Sequence, residues 1–156
     1  MVILAAVLAA AFALQPGPCS LKTARQEILR QDVQIGSSVH GRIPVAPEQA
    51  DYVLCADYTG DGRADMAVTI ASGGTAGNIA WLVFVRTTTA WRVTLNRSGY
   101  KVGLYRVGTD LVDSQPIYLE NDPNCCPTGG FDHARWHWNG KAFVAVRRWH
   151  DKSYKP

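Results

Sequence analysis

Residues 65–86 have the sequence DMAVTIASGGTAGNIAWLVFVR, and this stretch decides the fold class. Apolar side chains alternate along 65–71, which is the pattern of a β-strand with one buried face. Both faces of 79–86 are apolar, as in a central strand that is covered on both sides. The glycine-rich segment 71–77 lacks the Lys-Ser/Thr pair of a phosphate-binding loop, so it predicts a flexible connection between two strands.

Further strand patterns flank this pair. We predict strands at residues 51–56, 90–95, 101–107, 110–113, 115–120, 131–138 and 141–149. The spacers between neighbours are too short to hold crossover helices, which favours antiparallel pairing. In the segment Trp138-Asn139-Gly140-Lys141, the Asn-Gly pair accepts the positive φ values of a type I′ turn and predicts a tight hairpin.

One amphipathic helix precedes the strands. The Ser20 hydroxyl can accept a hydrogen bond from an unpaired amide of the first turn, and one helical face carries the apolar residues Leu21, Ala24, Ile28 and Leu29. We expect the helix to end near Asp32, and the proline- and glycine-containing segment 36–50 to form a loop. The predicted class is α+β, an N-terminal helix packed on a mostly antiparallel β-sheet meander, in a single domain over residues 19–156.

Composition excludes two classes of protein. The chain has 156 residues, of which 47% are hydrophobic and 19% charged, so it can bury a core and is not a disordered chain. Its 16 basic and 13 acidic residues give a net charge of +3. That charge is too small for electrostatic binding of nucleic acid, so we expect no nucleic-acid partner.

The first residues indicate export. Residues 1–14 are apolar and uncharged, and a bilayer span needs roughly 20 such residues, so we predict no transmembrane span. The stretch matches a secretory signal peptide over 1–13, with cleavage after Ala13, followed by a linker at 14–18. A buried N-terminal helix is the alternative. The predicted location is secreted, periplasmic or in the cell envelope.

The number of cysteines also indicates export. The chain has four, Cys19, Cys55, Cys125 and Cys126. An even number behind an export signal predicts two disulfides. Because adjacent cysteines rarely bond each other, we expect Cys125 and Cys126 to pair separately with Cys19 and Cys55. A lipid anchor on Cys19 is less favoured, because Pro18 directly precedes it and lipidation would leave three cysteines.

The segment 57–65, DYTGDGRAD, is the one motif that carries chemistry. Alternate residues of a tight loop point inward, so side-chain oxygens of Asp57, Thr59 and Asp61 can converge on one ion. The Arg63 backbone carbonyl and Asp65 would complete the ligands. Calcium takes six to eight oxygen ligands, and clustered carboxylates repel one another unless a cation lies between them. We predict a structural Ca²⁺ here; an ion-free turn held by backbone amides is the alternative.

This segment resembles the calcium loop of FG-GAP and integrin-type repeats, D-x-[DN]-G-D-G-x-x-D. The resemblance implies the geometry of an ion-binding loop and covers nine residues in one copy. A β-propeller needs several blades, so the resemblance does not extend to that fold.

Residues 120–130, ENDPNCCPTGG, are followed by an aromatic strand pattern. This segment resembles the D-P-x-C-C-P-[ST]-G segment of actinobacterial LppP/LprE-type lipoproteins. The resemblance implies an exported protein with a small β-rich domain and no assigned enzyme activity.

No catalytic constellation stands out in the sequence. The G-x-S-x-G motif of many hydrolases does not occur in the chain. His133 and His137 lie too far apart along one strand to share an ion, and we place them with Arg135 on a solvated face. We therefore predict a non-catalytic binding or structural module with a protein or cell-wall partner. The alternatives are a small secreted hydrolase using loop 71–78 with a nearby histidine, and a secreted inhibitor or interaction protein.

Overall fold

A computed structural model describes residues 15–37, 40–152 and 154. The predicted signal peptide at 1–13 lies outside the described residues. None of the helices within the described part combines the length and apolarity that a membrane crossing requires.

The helix α1 spans Leu21–Arg30, as predicted. The Ser20 hydroxyl accepts a hydrogen bond from the Thr23 amide at 3.1 Å, which caps the first turn. The chain leaves the helix just after Arg30, and Asp32 takes a positive φ of 46°. Leu29, which the pattern places on the apolar face, is instead exposed.

In the described part of the chain, ten strands follow the helix, and every pair is antiparallel. They are β1 (Gln34–Ser37), β2 (Gly41–Pro44), β3 (Ala50–Ala56), β4 (Asp65–Ala71), β5 (Asn78–Arg86), β6 (Trp91–Ser98), β7 (Gly103–Val107), β8 (Asp110–Pro116), β9 (Phe131–Trp138) and β10 (Phe143–Asp151). A short 3₁₀ helix, Pro47–Gln49, lies between β2 and β3. The α+β class and the antiparallel pairing agree with the prediction.

The strands form two four-stranded meanders and one small hairpin. Strands β3-β4-β5-β6 make the first sheet, β10-β9-β8-β7 make the second, and β1 pairs with β2. The helix covers one face of the first sheet and the second sheet covers the other. Alternate residues of β4 and β5 therefore enter two different cores, which explains why both strands are apolar on both faces.

Three local predictions are wrong. The segment 36–50 is not a loop, because it contains part of β1, the whole of β2 and the 3₁₀ helix. Residues 117–120 lie outside β8, which ends at Pro116, so no separate strand spans 115–120. The last hairpin has a four-residue connection in which only Gly140 has a positive φ, so the turn is not type I′.

Candidate functional site

Residues 57–64 connect β3 to β4 in a tight loop organised by Asp57. The Asp57 carboxylate accepts hydrogen bonds from the backbone amides of Gly60 at 2.7 Å, Asp61 at 3.0 Å and Gly62 at 2.8 Å. Gly60 and Gly62 have φ values of 76° and 82°, which glycine adopts without strain. Desolvation acts to raise the pKa of Asp57, but the amide hydrogen bonds outweigh it and hold the pKa below its ordinary value.

Asp65, the first residue of β4, closes the base of this loop and is fully buried. One carboxylate oxygen accepts from the backbone amides of Tyr58 at 3.0 Å and Thr59 at 3.1 Å, and from the Thr59 hydroxyl at 3.1 Å. The other accepts from the Arg86 amide at 2.9 Å. Burial raises the pKa of Asp65 despite these hydrogen bonds.

The predicted ion ligands are brought together only in part. The Thr59 hydroxyl oxygen lies 3.4 Å from Asp57 Oδ1 and 3.1 Å from Asp65 Oδ2, so these three side chains converge. Asp61 instead forms an ion pair with Arg63, with 2.5 Å between Oδ2 and Nη2. Within the described residues, no three His, Cys, Asp or Glu side chains are grouped so that they could hold a metal.

The predicted ligands in loop 57–65 have the hard oxygen atoms that calcium prefers, but these oxygens now contact other groups of the protein. Backbone amides and the Thr59 hydroxyl satisfy Asp57 and Asp65, and Arg63 neutralises Asp61. Repulsion among the carboxylates is therefore already relieved without an ion. An ion would take the lone pairs that now face the Thr59 hydroxyl and would require Asp61 to leave Arg63. Calcium binding stays a prediction.

The cysteine pairing differs from the expected one. Cys19 is bonded to Cys55, with Cα atoms 6.0 Å apart, and Cys125 is bonded to Cys126. The reason is position: Cys19 lies two residues before α1, which packs on the sheet containing Cys55. Cys125 and Cys126 instead lie in the exposed loop between β8 and β9. All four cysteines are paired.

The loop that carries Cys125 and Cys126 is organised by a third aspartate. Asp122 accepts hydrogen bonds from the backbone amides of Leu119 at 2.8 Å and Thr128 at 2.7 Å, and from the Thr128 hydroxyl at 2.7 Å. These bonds lower the pKa of the Asp122 carboxyl. The segment 120–130 is therefore a loop held by Asp122 and, through Asn124, by Tyr100, Lys101 and Tyr118.

Sequence reasoning missed a cluster of polar and aromatic side chains around the buried His133 on the second sheet. His133 is 3% exposed, so its predicted place on a solvated face is wrong. Its Nδ1 lies 3.2 Å from the Tyr105 hydroxyl and its Nε2 lies 3.2 Å from Asp151 Oδ1. Trp149 stacks on the imidazole at 5.0 Å, and its indole N–H donates to Asp151. The alternation of β9 points His133 to the outer face, but only the pairing with β10 reveals that Trp149 covers it.

His137 has a different partner on the same sheet. Asp110 accepts from Arg135 Nε at 2.5 Å and lies 2.7 Å from His137 Nδ1. Desolvation acts to raise the pKa of Asp110, but the hydrogen bonds from His137 and Arg135 outweigh it and lower the pKa. The two histidines therefore contact separate carboxylates, Asp151 and Asp110.

Loop 71–78 is the segment that the hydrolase alternative would use. Its serine, Ser72, forms hydrogen bonds within the loop. The Ser72 hydroxyl accepts from the Gly74 amide at 3.0 Å and donates to the Gly74 carbonyl at 3.2 Å. His150 lies 3.1 Å from Asp132 at the far end of the second sheet. Ser72 therefore bonds to Gly74 and His150 contacts Asp132, so each has a local partner of its own.

No protein family, curated protein or solved structure was found to match this chain. The resemblances of segments 57–65 and 120–130 to known families stay predictions.

Proposed function

We propose that this protein is an exported, non-catalytic domain that acts as a binding or structural module and carries one structural calcium ion in loop 57–65. One observation carries the proposal: the oxygens of Asp57 and Asp65 lie within 3.4 Å and 3.1 Å of the Thr59 hydroxyl oxygen. This gathering of hard oxygen donors is the ligand chemistry that calcium prefers.

Two disulfides support export. Cys19–Cys55 ties the start of α1 to β3, two residues before Asp57, and Cys125–Cys126 closes on itself in a surface loop. Such bonds persist in oxidising compartments and are rare where thiols are kept reduced. We propose a secreted, periplasmic or cell-envelope location with a protein or cell-wall partner.

The pairing of the polar side chains supports a non-catalytic role. Both ring nitrogens of His133 have partners, Tyr105 and Asp151, beneath the Trp149 ring. Ser114, the cross-strand neighbour of His133, is fully buried and its hydroxyl cannot reach a substrate from solvent. A nucleophile and base in an open pocket would favour an enzyme, whereas His133 bonds to Tyr105 and Asp151, and the Ser114 hydroxyl is buried without a hydrogen-bond partner in the described residues.

The proposed ion is structural. It would be held by Asp57, Thr59, Asp61, the Arg63 carbonyl and Asp65. The loop joins β3 to β4, and Asp65 also binds the amide of Arg86 at the end of β5. Calcium would add charge neutralisation to a loop that already holds three strands of the first sheet together.

Calorimetric titration of chelator-treated protein with calcium tests the proposal. We expect saturable binding of one ion per chain, weakened about tenfold or more by Asp61→Asn. Asp51→Asn is the matched control, because Asp51 is an exposed aspartate on the adjacent strand β3. Equal binding by both variants would place the ion elsewhere, and absence of binding by the unmodified protein would overturn the calcium assignment.

A further inference from the structure

A small cleft opens where the end of β6 meets the second sheet. Its volume is about 190 Å³ and its polar lining includes Arg97 of β6, Gln115 of β8 and Arg148 of β10. The Arg97 and Arg148 guanidinium carbons lie 4.9 Å and 5.8 Å from the centroid of the same indole ring, that of Trp136. Two cationic groups therefore pack on the same aromatic ring.

Neither guanidinium has a hydrogen bond or ion pair with the described residues, and the buried Arg97 Nε has no hydrogen-bond partner there. A buried N–H without an acceptor costs free energy, so an arrangement of this kind needs an explanation. Packing on Trp136 accounts for the position of the planar groups but satisfies none of their N–H donors.

The acidic side chains of the cleft already have hydrogen-bond partners, and Asp132 is largely exposed to solvent. Asp113 accepts from the indole N–H groups of Trp81 at 3.3 Å and Trp136 at 3.1 Å, one at each carboxylate oxygen. Asp132 lies 3.1 Å from His150 Nδ1. The buried cleft atom without a partner is therefore a donor, Arg97 Nε, and its acceptor must come from outside the described residues.

We infer that this cleft binds a carboxylate group, held by the guanidinium groups of Arg97 and Arg148, which both pack on Trp136. The planar guanidinium matches the geometry of a carboxylate. Because Asp113 and Asp132 also line the cleft, its net charge is low, and a dianionic phosphate is disfavoured more than a monoanion. The volume suits one carboxylate with a short apolar tail, since cavities for larger ligands are roughly 300 Å³ or more. This inference goes beyond the proposed function and does not depend on calcium.

Sodium propionate is the first probe, added to ¹⁵N-labelled protein at constant ionic strength against sodium chloride. We expect saturable shifts of the Arg97 and Arg148 Nε–H signals and of the Trp136 indole signal. Inorganic phosphate at the same ionic strength should bind more weakly. The source of the carboxylate is distinguished with an N-acetylated tripeptide carrying either a free or an amidated C-terminus. Binding of the free form tighter than propionate would indicate a chain terminus, and binding no tighter would indicate a small free acid.

The variants Arg97→Gln and Arg148→Gln should each weaken propionate binding about tenfold or more. Arg147→Gln is the matched control, because Arg147 is the exposed neighbour of Arg148 and contacts Trp149 rather than Trp136. Arg148 is itself exposed, so its variant should fold even if the Arg97 variant does not. Absence of saturable shifts up to about 100 mM propionate, equal loss in the Arg147 variant, or tighter binding of phosphate would overturn the inference.

Discussion

The Asp65 carboxylate accepts a hydrogen bond from the backbone amide of Arg86, with 2.9 Å between oxygen and nitrogen. The second oxygen of Asp65 accepts from the amides of Tyr58 and Thr59. One buried side chain therefore joins the loop that follows β3 to the end of β5. This link makes the loop part of the first sheet's architecture.

We expect Asp65→Asn to lower the free energy of unfolding by about 2–4 kcal/mol. Whichever way the new amide turns, its NH₂ group faces a backbone N–H and leaves it without an acceptor. Urea unfolding measures the change, with Asp51→Asn as the exposed control. A loss no greater than that of the control would mean that Asp65 does not hold the loop.

Asp110 should make stability depend on pH in the acid range. Its pKa is lowered by His137 and Arg135, so the folded state binds fewer protons than the unfolded state near the ordinary pKa of about 3.9. The stabilisation is therefore present above that pH and is lost as the pH falls through the lower folded value. We expect Asp110→Asn to cost about 1–3 kcal/mol at pH 7 and progressively less below about pH 4.

Urea unfolding of both proteins between pH 7 and pH 3 measures this difference. Asp132→Asn is the control, because Asp132 also faces a histidine but is exposed. If the free energies of unfolding of wild type and Asp110→Asn differ by the same amount at every pH, the lowered pKa of Asp110 is contradicted.

The two disulfides should differ in their effect on stability. Cys19–Cys55 spans 36 residues, so its replacement by two serines should cost about 4 kcal/mol on the chain-entropy model. Replacing Cys125 and Cys126, which are adjacent, should change the global free energy of unfolding by much less. Proteolytic mapping of the unreduced protein provides the direct check, and a peptide linking either of Cys19 or Cys55 to Cys125 or Cys126 would refute the pairing.

The sequence predicts the elements whose pattern is local. Helix α1 is marked by its Ser20 cap and its apolar face, and β4 and β5 are marked by side chains that enter two cores. The hairpin of β1 and β2 is not marked in this way, because its strands have four residues each and much of β2 is exposed. Short exposed strands have little apolar alternation to detect.

Features that depend on distant pairing could not be predicted. The burial of His133 follows from Trp149 on the next strand, and the bond of Cys19 to Cys55 follows from how α1 lies on the first sheet. The division of the strands into two meanders also depends on distant contacts, because the apolar face of a strand does not show which element of the fold will cover it. In loop 57–65 the spacing predicts the convergence of Asp57, Thr59 and Asp65, but not the contact of Asp61 with Arg63.

Thermal unfolding with calcium or with chelator tests most directly whether loop 57–65 carries the proposed structural calcium ion. A ligand at a hundredfold excess over its Kd stabilises the folded state by about 2.7 kcal/mol. We expect calcium to raise the Tm of the unmodified protein, chelator to lower it, and Asp61→Ala to abolish the difference while the protein still folds. Identical unfolding curves in calcium and in chelator would contradict the claim and leave the loop as a turn closed by its own amides.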